Sequence, residues 1–159
     1  MDDKDRHLLD LLQQDARQPL DRLADAVSLS VPAVQRRIKK LRDTRVIKRE
    51  VAEVDAEALN VSMTFIIFVE LERDQGDQID AFRRKAMADD LVQQCYYVTG
   101  EGDFVLISVA RDMNDFEAMT RRLFLNDPNI RGFRTSIAMG KSFRSLAVPA
   151  RYLIGENCD

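Results

Sequence analysis

Histidine and cysteine are scarce in this chain of 159 residues: one histidine, His7, and two cysteines, Cys95 and Cys158, with no tryptophan at all. The cysteines lie far apart and show no CxxC spacing, so neither a disulfide framework nor a zinc site is expected. A single histidine and no nucleophile elbow leave no support for a triad or for metal-assisted hydrolysis. The sequence thus implies a non-enzyme with no cofactor and no metal. No apolar run approaches the ~18 residues of a membrane span. The first residues, Met1-Asp2-Asp3-Lys4, are acidic and lead straight into an amphipathic pattern. A secretory signal is therefore not expected, and the cytoplasm is the expected location.

What is present is charge, and it is unevenly placed. Residues 34–49 hold eight basic side chains against one acidic, Asp43. That is a local +7 in a chain whose net charge is −3, leaving −10 for the remainder. An acidic protein with one cationic stretch concentrates its attraction for phosphate there.

The pattern around that stretch gives it a shape. Leu20, Leu23, Ala24 and Val27 form one helical stripe. Ser28-Leu29-Ser30 interrupts it, with Ser30 expected to cap the next helix through its hydroxyl and Pro32 tolerated in the first turn. Val34, Ile38 and Leu41 make a second stripe. Pro32, Arg36, Lys39 and Lys40 point away from it, with Gln35 and Arg42 on its flanks. This is the plan of a helix-turn-helix whose second helix reads DNA. The candidate DNA-binding residues are Ser30, Pro32, Gln35, Arg36, Arg37, Lys39, Lys40 and Arg42 on or at the start of that helix. Lys48 and Arg49 join them from Val46–Asp55, whose alternation predicts a strand or wing. Residues 4–15, with Leu8, Leu9, Leu11 and Leu12, supply a preceding helix.

The second half of the chain changes character. Met63–Leu71 predicts a buried strand and Ile79, Phe82, Ala86 and Met87 a helix. Strands follow over Leu91–Thr99 and Phe104–Ala110, then a helix around Phe116, Met119 and Leu123, then a strand over Ile130–Met139. The order β-α-β-β-α-β predicts a ferredoxin-like sandwich, so the fold class is α+β: a winged helix-turn-helix followed by a βαββαβ domain. The expected divisions are residues 1–50 for DNA binding, 51–60 as a strand linker, 61–140 for the second domain and 141–159 as a tail. Both faces of the first strand are apolar, which implies a partner subunit. The apolar residues of the tail (Phe143, Leu146, Val148, Tyr152, Leu153, Ile154) imply docking. Gly100-Glu101-Gly102 is no dinucleotide fingerprint, because a third glycine and a following helix are missing. Read alone it is a tight turn; with Asp103 and exposed amides it could also hold a small zwitterion.

The chain resembles the leucine-responsive/asparagine regulator (Lrp/AsnC) family. The resemblance is carried by Asp5-Arg6-His7-Leu8-Leu9, Asp15-Ala16-Arg17, Leu23-Ala24, Leu29-Ser30, Arg36-Arg37-Ile38 with Leu41, Val46-Ile47, and Val98-Thr99-Gly100-Glu101-Gly102-Asp103-Phe104. It implies a cytoplasmic transcriptional regulator that binds double-stranded DNA and forms homodimers, often four per particle. It also implies a small effector, usually an amino acid, near the loop before the third strand. Tyr97, Val98, Thr99, Gly100, Glu101, Gly102, Asp103, Ile137 and Ala138 match positions around that site, with Thr135 and Ser136 as polar neighbours. One departure is Ser28, where the family often has glycine at the turn. The other class compatible with the sequence is an architectural protein that wraps DNA without an effector.

Overall fold

The computed structural model describes residues 1–140 and 146–151. Phe143, Tyr152, Leu153, Ile154 and Cys158 lie outside the described residues. The chain divides into two compact units, one formed by Met1–Glu53 with the described tail segment, the other beginning at Val54.

Three helices build the first unit: α1 (Asp3–Gln14), α2 (Leu20–Val27) and α3 (Val31–Asp43). Asp2 begins α1 with a capping box, its carboxylate accepting from Asp5 N–H at 2.9 Å while the Asp5 carboxylate accepts from Asp2 N–H at 3.1 Å. Leu8, Leu23, Ala24, Val27, Val34 and Ile38 form a common buried core, and Ile47 packs against it from the segment after α3. The stripes anticipated from sequence are the faces that bury.

Between α2 and α3 the turn is closed by Ser28, in the left-handed conformation at φ 51 and ψ 55. A side chain there costs about 1 kcal/mol relative to glycine. Lys4 Nζ donates to the Val27 and Ser28 carbonyls, both at 3.0 Å, and so satisfies the end of α2 with a cation.

Two expectations need correction here. Ser30 stands at the N-cap of α3 with extended backbone, but its hydroxyl makes no capping hydrogen bond. Val46–Asp55 forms no strand. Among the described residues no strand pairs with this segment, and alternation alone cannot supply the ladder. It is held at its start by Ile47 N–H donating to the Leu41 carbonyl at 3.0 Å.

In the second unit, a 3₁₀ turn at Glu57–Leu59 precedes β1 (Met63–Leu71), α4 (Gly76–Met87), β2 (Val92–Tyr97), β3 (Phe104–Ala110), α5 (Met113–Thr120) and β4 (Ile130–Ile137). A single π-type turn, Arg121–Leu125, extends α5. The sheet is antiparallel throughout, in the order β2-β3-β1-β4. This is the ferredoxin-like arrangement that the element order predicted. Alternation sends Phe65, Ile67, Val69 and Leu71 beneath the helices, where they join Phe82, Phe104, Leu106, Met119, Leu123 and Phe124 in one core. Phe65 stacks on Phe116 with ring centroids 4.0 Å apart.

The opposite face of the sheet carries Ile66 and Phe68 from β1, across from Ile107 and Val105 of β3, with Tyr96 of β2 opposite Val105. Phe68 is 39% exposed and Tyr96 48%. No helix of the described residues is long and apolar enough to cross a membrane.

Candidate functional site

The free face of α3 presents Pro32, Gln35, Arg36, Lys39 and Lys40, all exposed, while Val34, Ile38 and Leu41 are buried on the other side. The side chains of Arg36, Lys39 and Lys40 make no hydrogen bond or ion pair among the described residues, so their cationic heads are available to an external anion. The hydroxyl of Ser30, unspent on capping, lies at the start of the same helix.

Two of the cations grouped with these by sequence are already engaged. Arg37 is drawn off the face toward α1, where Nη1 meets Asp2 at 2.8 Å and Asp5 at 2.7 Å. Its hydrogen bonds to the Asp5 and Asp2 carboxylates push the Arg37 guanidinium above its ordinary range. The Asp2 carboxyl is held low in return, first by the Asp5 amide and then, against some desolvation, by Arg37. Arg37 therefore ties α3 to the start of α1. Arg42 donates through Nε and Nη2 to the Glu50 carboxylate, at 2.9 and 2.6 Å. Lys48 and Arg49 follow on the exposed extended segment.

A segment from the far end of the chain also meets α1. The Gln13 side-chain amide exchanges two hydrogen bonds with the backbone of Val148, donating to its carbonyl at 2.8 Å and accepting from its N–H at 2.7 Å. The Asp10 carboxylate accepts from Ala150 N–H at 2.7 Å and from Arg151 Nε at 3.0 Å. Partial burial pushes the Asp10 carboxyl up, but the Ala150 amide and the Arg151 guanidinium outweigh it and leave it below the usual carboxylate range. What fastens this segment is a polar clamp rather than the apolar contact its sequence implied, for Leu146 and Val148 are both exposed.

In the second unit, the loop between β2 and β3 is shaped by two glycines. Gly100 has φ +123, a conformation open only to glycine. A Cβ on Gly102 would meet the Val69 carbonyl at 3.2 Å, so the loop lies close against β1. Asp103 locks it there. Its N–H donates to the Val69 carbonyl at 2.9 Å, its carbonyl accepts from Val98 N–H at 2.9 Å, and its Oδ2 accepts from Leu71 N–H at 2.7 Å. That last bond falls where the β1–β4 register shifts between Glu70 and Leu71, and it supplies a backbone donor with a partner.

Beside this loop is a cavity of about 160 Å³, lined by Phe68, Val69 and Glu70 of β1, Glu101 and Gly102 of the loop, and Gly132, Phe133 and Arg134 of β4. Arg134 reaches across its rim to the Glu101 carbonyl and carboxylate, at 3.2 and 3.3 Å. The lining offers carboxylates, a guanidinium and apolar surface within one small hollow. Gly132 and Arg134 had not been picked out from the sequence; only the β1–β4 pairing brings them beside the loop.

The expected effector residues do not all converge. Tyr97 through Asp103 run from the end of β2 through the loop at one end of the sheet. Thr135, Ser136, Ile137 and Ala138 lie on β4 and just beyond, where Ile137 is opposite Phe65 and Ala138 N–H donates to the Thr64 carbonyl. The loop approaches the start of this group, since Glu101 meets Arg134, the residue before Thr135. Tyr97, in contrast, is level with Phe104, Val69 and Phe133, three strands from β4 and four residues from Ile137 along it. At ~4.8 Å per strand and ~3.4 Å per residue, Tyr97 and Ile137 are about 14 Å apart across the sheet and about 14 Å along it, so these two do not share a site within one chain.

Comparison with known proteins agrees with both units. Residues 1–42 match the AsnC-type helix-turn-helix domain and residues 64–148 the Lrp/AsnC ligand binding domain. The chain is 40% identical over 149 residues to an uncharacterised HTH-type transcriptional regulator, y4tD, of Sinorhizobium fredii, covering 94% of this chain and 88% of that one. It is 30% identical to the transcriptional regulator AzlB of Bacillus subtilis, over 94% of this chain and 95% of that protein. Among solved structures, an AsnC family regulator from Agrobacterium tumefaciens superposes with a TM-score of 0.89 at 27% identity, covering 97% of this chain and all of that one. A transcriptional regulator from Neisseria meningitidis, crystallised as a complex with L-methionine, superposes with a TM-score of 0.88 at 25% identity, over 97% of this chain and 99% of that one. With a cationic helix-turn-helix in one unit and a matching ligand-binding sheet in the other, this chain belongs to the Lrp/AsnC family of transcriptional regulators.

Proposed function

We propose that this regulator binds operator DNA through the free face of α3 and adjusts that binding in response to a free amino acid. The observation that carries the effector reading is the cavity beside Gly102, whose rim sets the Arg134 guanidinium beside the Glu101 carboxylate, with Glu70 on the same hollow. An amino acid carries an ammonium that needs acceptors and a carboxylate that needs donors, and this lining offers both. The volume, about 160 Å³, suits a ligand of that size. The Neisseria relative's complex with L-methionine supports the same ligand class.

Asp103 enters this reading mainly as the residue that holds the loop, since one of its oxygens is spent on Leu71. The residues on β4, Thr135 to Ala138, would meet the ligand from a second copy of the chain. That copy is also what the apolar sheet face around Ile66, Phe68 and Ile107 requires, so a homodimer is the minimum assembly. A two-fold dimer places two recognition helices on half-sites about 34 Å, or a multiple of it, apart. A ligand at a contact between copies acts through its different affinity for two assembly states.

Calorimetric titration with a panel of amino acids tests this, followed by operator affinity with and without the best binder. One or a few amino acids should bind the wild type. Arg134→Ala should weaken them by tenfold or more, and should leave DNA binding without ligand intact. An architectural protein would be indifferent to the whole panel, and that result would remove the sensing function. Binding that persists unchanged in Arg134→Ala would remove the site. Light scattering that finds a stable monomer at micromolar concentration would remove the assembly.

A further inference from the structure

Past the end of α3 the chain folds into a second cationic feature. Arg42, Arg45, Lys48 and Arg49, with Ile47 and Glu50, surround a groove of about 300 Å³. Arg45 takes the left-handed conformation at φ 59, directly after the helix, and its N–H closes the helix end on the Arg42 carbonyl. Glycine is the residue of least cost in that position. An arginine kept there contributes something other than the turn, and it is a cation aimed beside three others. The side chains of Arg45, Lys48 and Arg49 have no hydrogen-bond or ion-pair partner among the described residues. Arg42 does have one: both its Nε and Nη2 converge on a single Glu50 oxygen.

We propose that this groove is a phosphodiester clamp for duplex DNA, in which the Glu50 carboxylate stands in for phosphate until DNA displaces it. The proposal rests on the reading of α3 as the DNA-binding face and adds a contact beyond it. The fork of Arg42 suits an anionic oxygen of either kind. The pair is exposed on both sides, 52% and 41%, so exchanging carboxylate for phosphate costs little. The groove lies where the DNA backbone would pass on leaving the helix, and its Arg and Lys contacts carry no base preference. Glu50 therefore acts as a built-in competitor. It holds Arg42 in place and lowers the affinity of the resting protein for DNA of every sequence.

Anisotropy titrations of a labelled mixed-sequence duplex, repeated over a range of salt concentrations with full-length protein, test this. E50Q should tighten binding about three- to tenfold and steepen the plot of log affinity against log salt by about one, as one further phosphate contact is gained. In an R42A background the E50Q gain should vanish, which separates a released partner from a general loss of negative charge. R45G should weaken binding several-fold and flatten the salt slope by about one, while its melting temperature stays the same or rises. A destabilised turn would move both quantities down together. R36A/K39A is the control for the underlying reading. If it weakens binding while E50Q and R45G do nothing, or if the E50Q gain survives in R42A, the clamp is overturned and the α3 face stands. If R36A/K39A also changes nothing, the DNA-binding face is overturned and the clamp with it.

Discussion

Arg37 sits in the middle of the most cationic helix, yet its guanidinium serves the fold, and replacing it should show this. It makes two charge-assisted hydrogen bonds from Nη1, to Asp2 and Asp5. The Asp2 side chain is 54% exposed, and a pair that open contributes little. The Asp5 side chain is only 12% exposed and Arg37 30%, so this bond is worth about 1–2 kcal/mol after allowing for the partial access of water. In Arg37→Ala the Asp5 carboxylate keeps only the Asp2 N–H. The expected loss is about 2 kcal/mol in total, roughly a 10 °C drop in the melting of the helix-turn-helix unit. Circular dichroism at 222 nm follows the melting, and DNA affinity is measured far below it. Affinity there should change less than threefold. Arg37→Lys should recover more than half of the loss, because both bonds leave from one nitrogen that an ammonium can replace. The assignment fails if Arg37→Ala melts with the wild type, or if it loses DNA affinity while fully folded.

Further outcomes follow from single contacts. Ser28→Gly should stabilise the first unit by about 1 kcal/mol, read by urea denaturation, since it removes a side chain from φ 51 without touching the Lys4 contacts; a loss of stability would show that the serine side chain makes up for its own strain. Ser108 is fully buried under the helices, and its hydroxyl has no hydrogen-bond partner among the described residues, so Ser108→Ala should be neutral or stabilising by up to about 1 kcal/mol in the same assay. The tail clamp should open in acid. Asp10 has its folded value depressed, so its contribution is fully present above the ordinary carboxylate value of ~3.9 and is lost as pH falls through the depressed one. Trypsin cleavage after Arg151 should be slow in the wild type at neutral pH and faster in Asp10→Asn, and equal rates would refute the clamp.

The sequence by itself determined the elements whose apolar stripes are buried in the two cores. Phe65, Ile67 and Val69 alternate with Ile66 and Phe68, and no register other than the observed one buries the first set under two helices. Val34, Ile38 and Leu41 likewise left Arg36, Lys39 and Lys40 nowhere to go but outward. The family resemblance marked Ser28 as a departure at the turn, and local chemistry marked Gly100-Glu101-Gly102 as a tight turn. Tertiary structure decided what depends on distant partners. Arg37 looked like its cationic neighbours until α1 brought Asp5 against it. Val46–Asp55 had the alternation of a strand, but a strand exists only where another backbone can accept its hydrogen bonds, and none lies beside it. Asp103 read as an acceptor for a ligand, and it accepts instead from Leu71, 32 residues away. Gly132 and Arg134 carry no local signal at all. They reach the cavity because β4 pairs with β1 in a register set by the whole core, and the same sheet keeps Ile137 away from Tyr97. Periodicity reports which face of a segment is buried, whereas the position of a charge within a site is fixed by the segments packed around it.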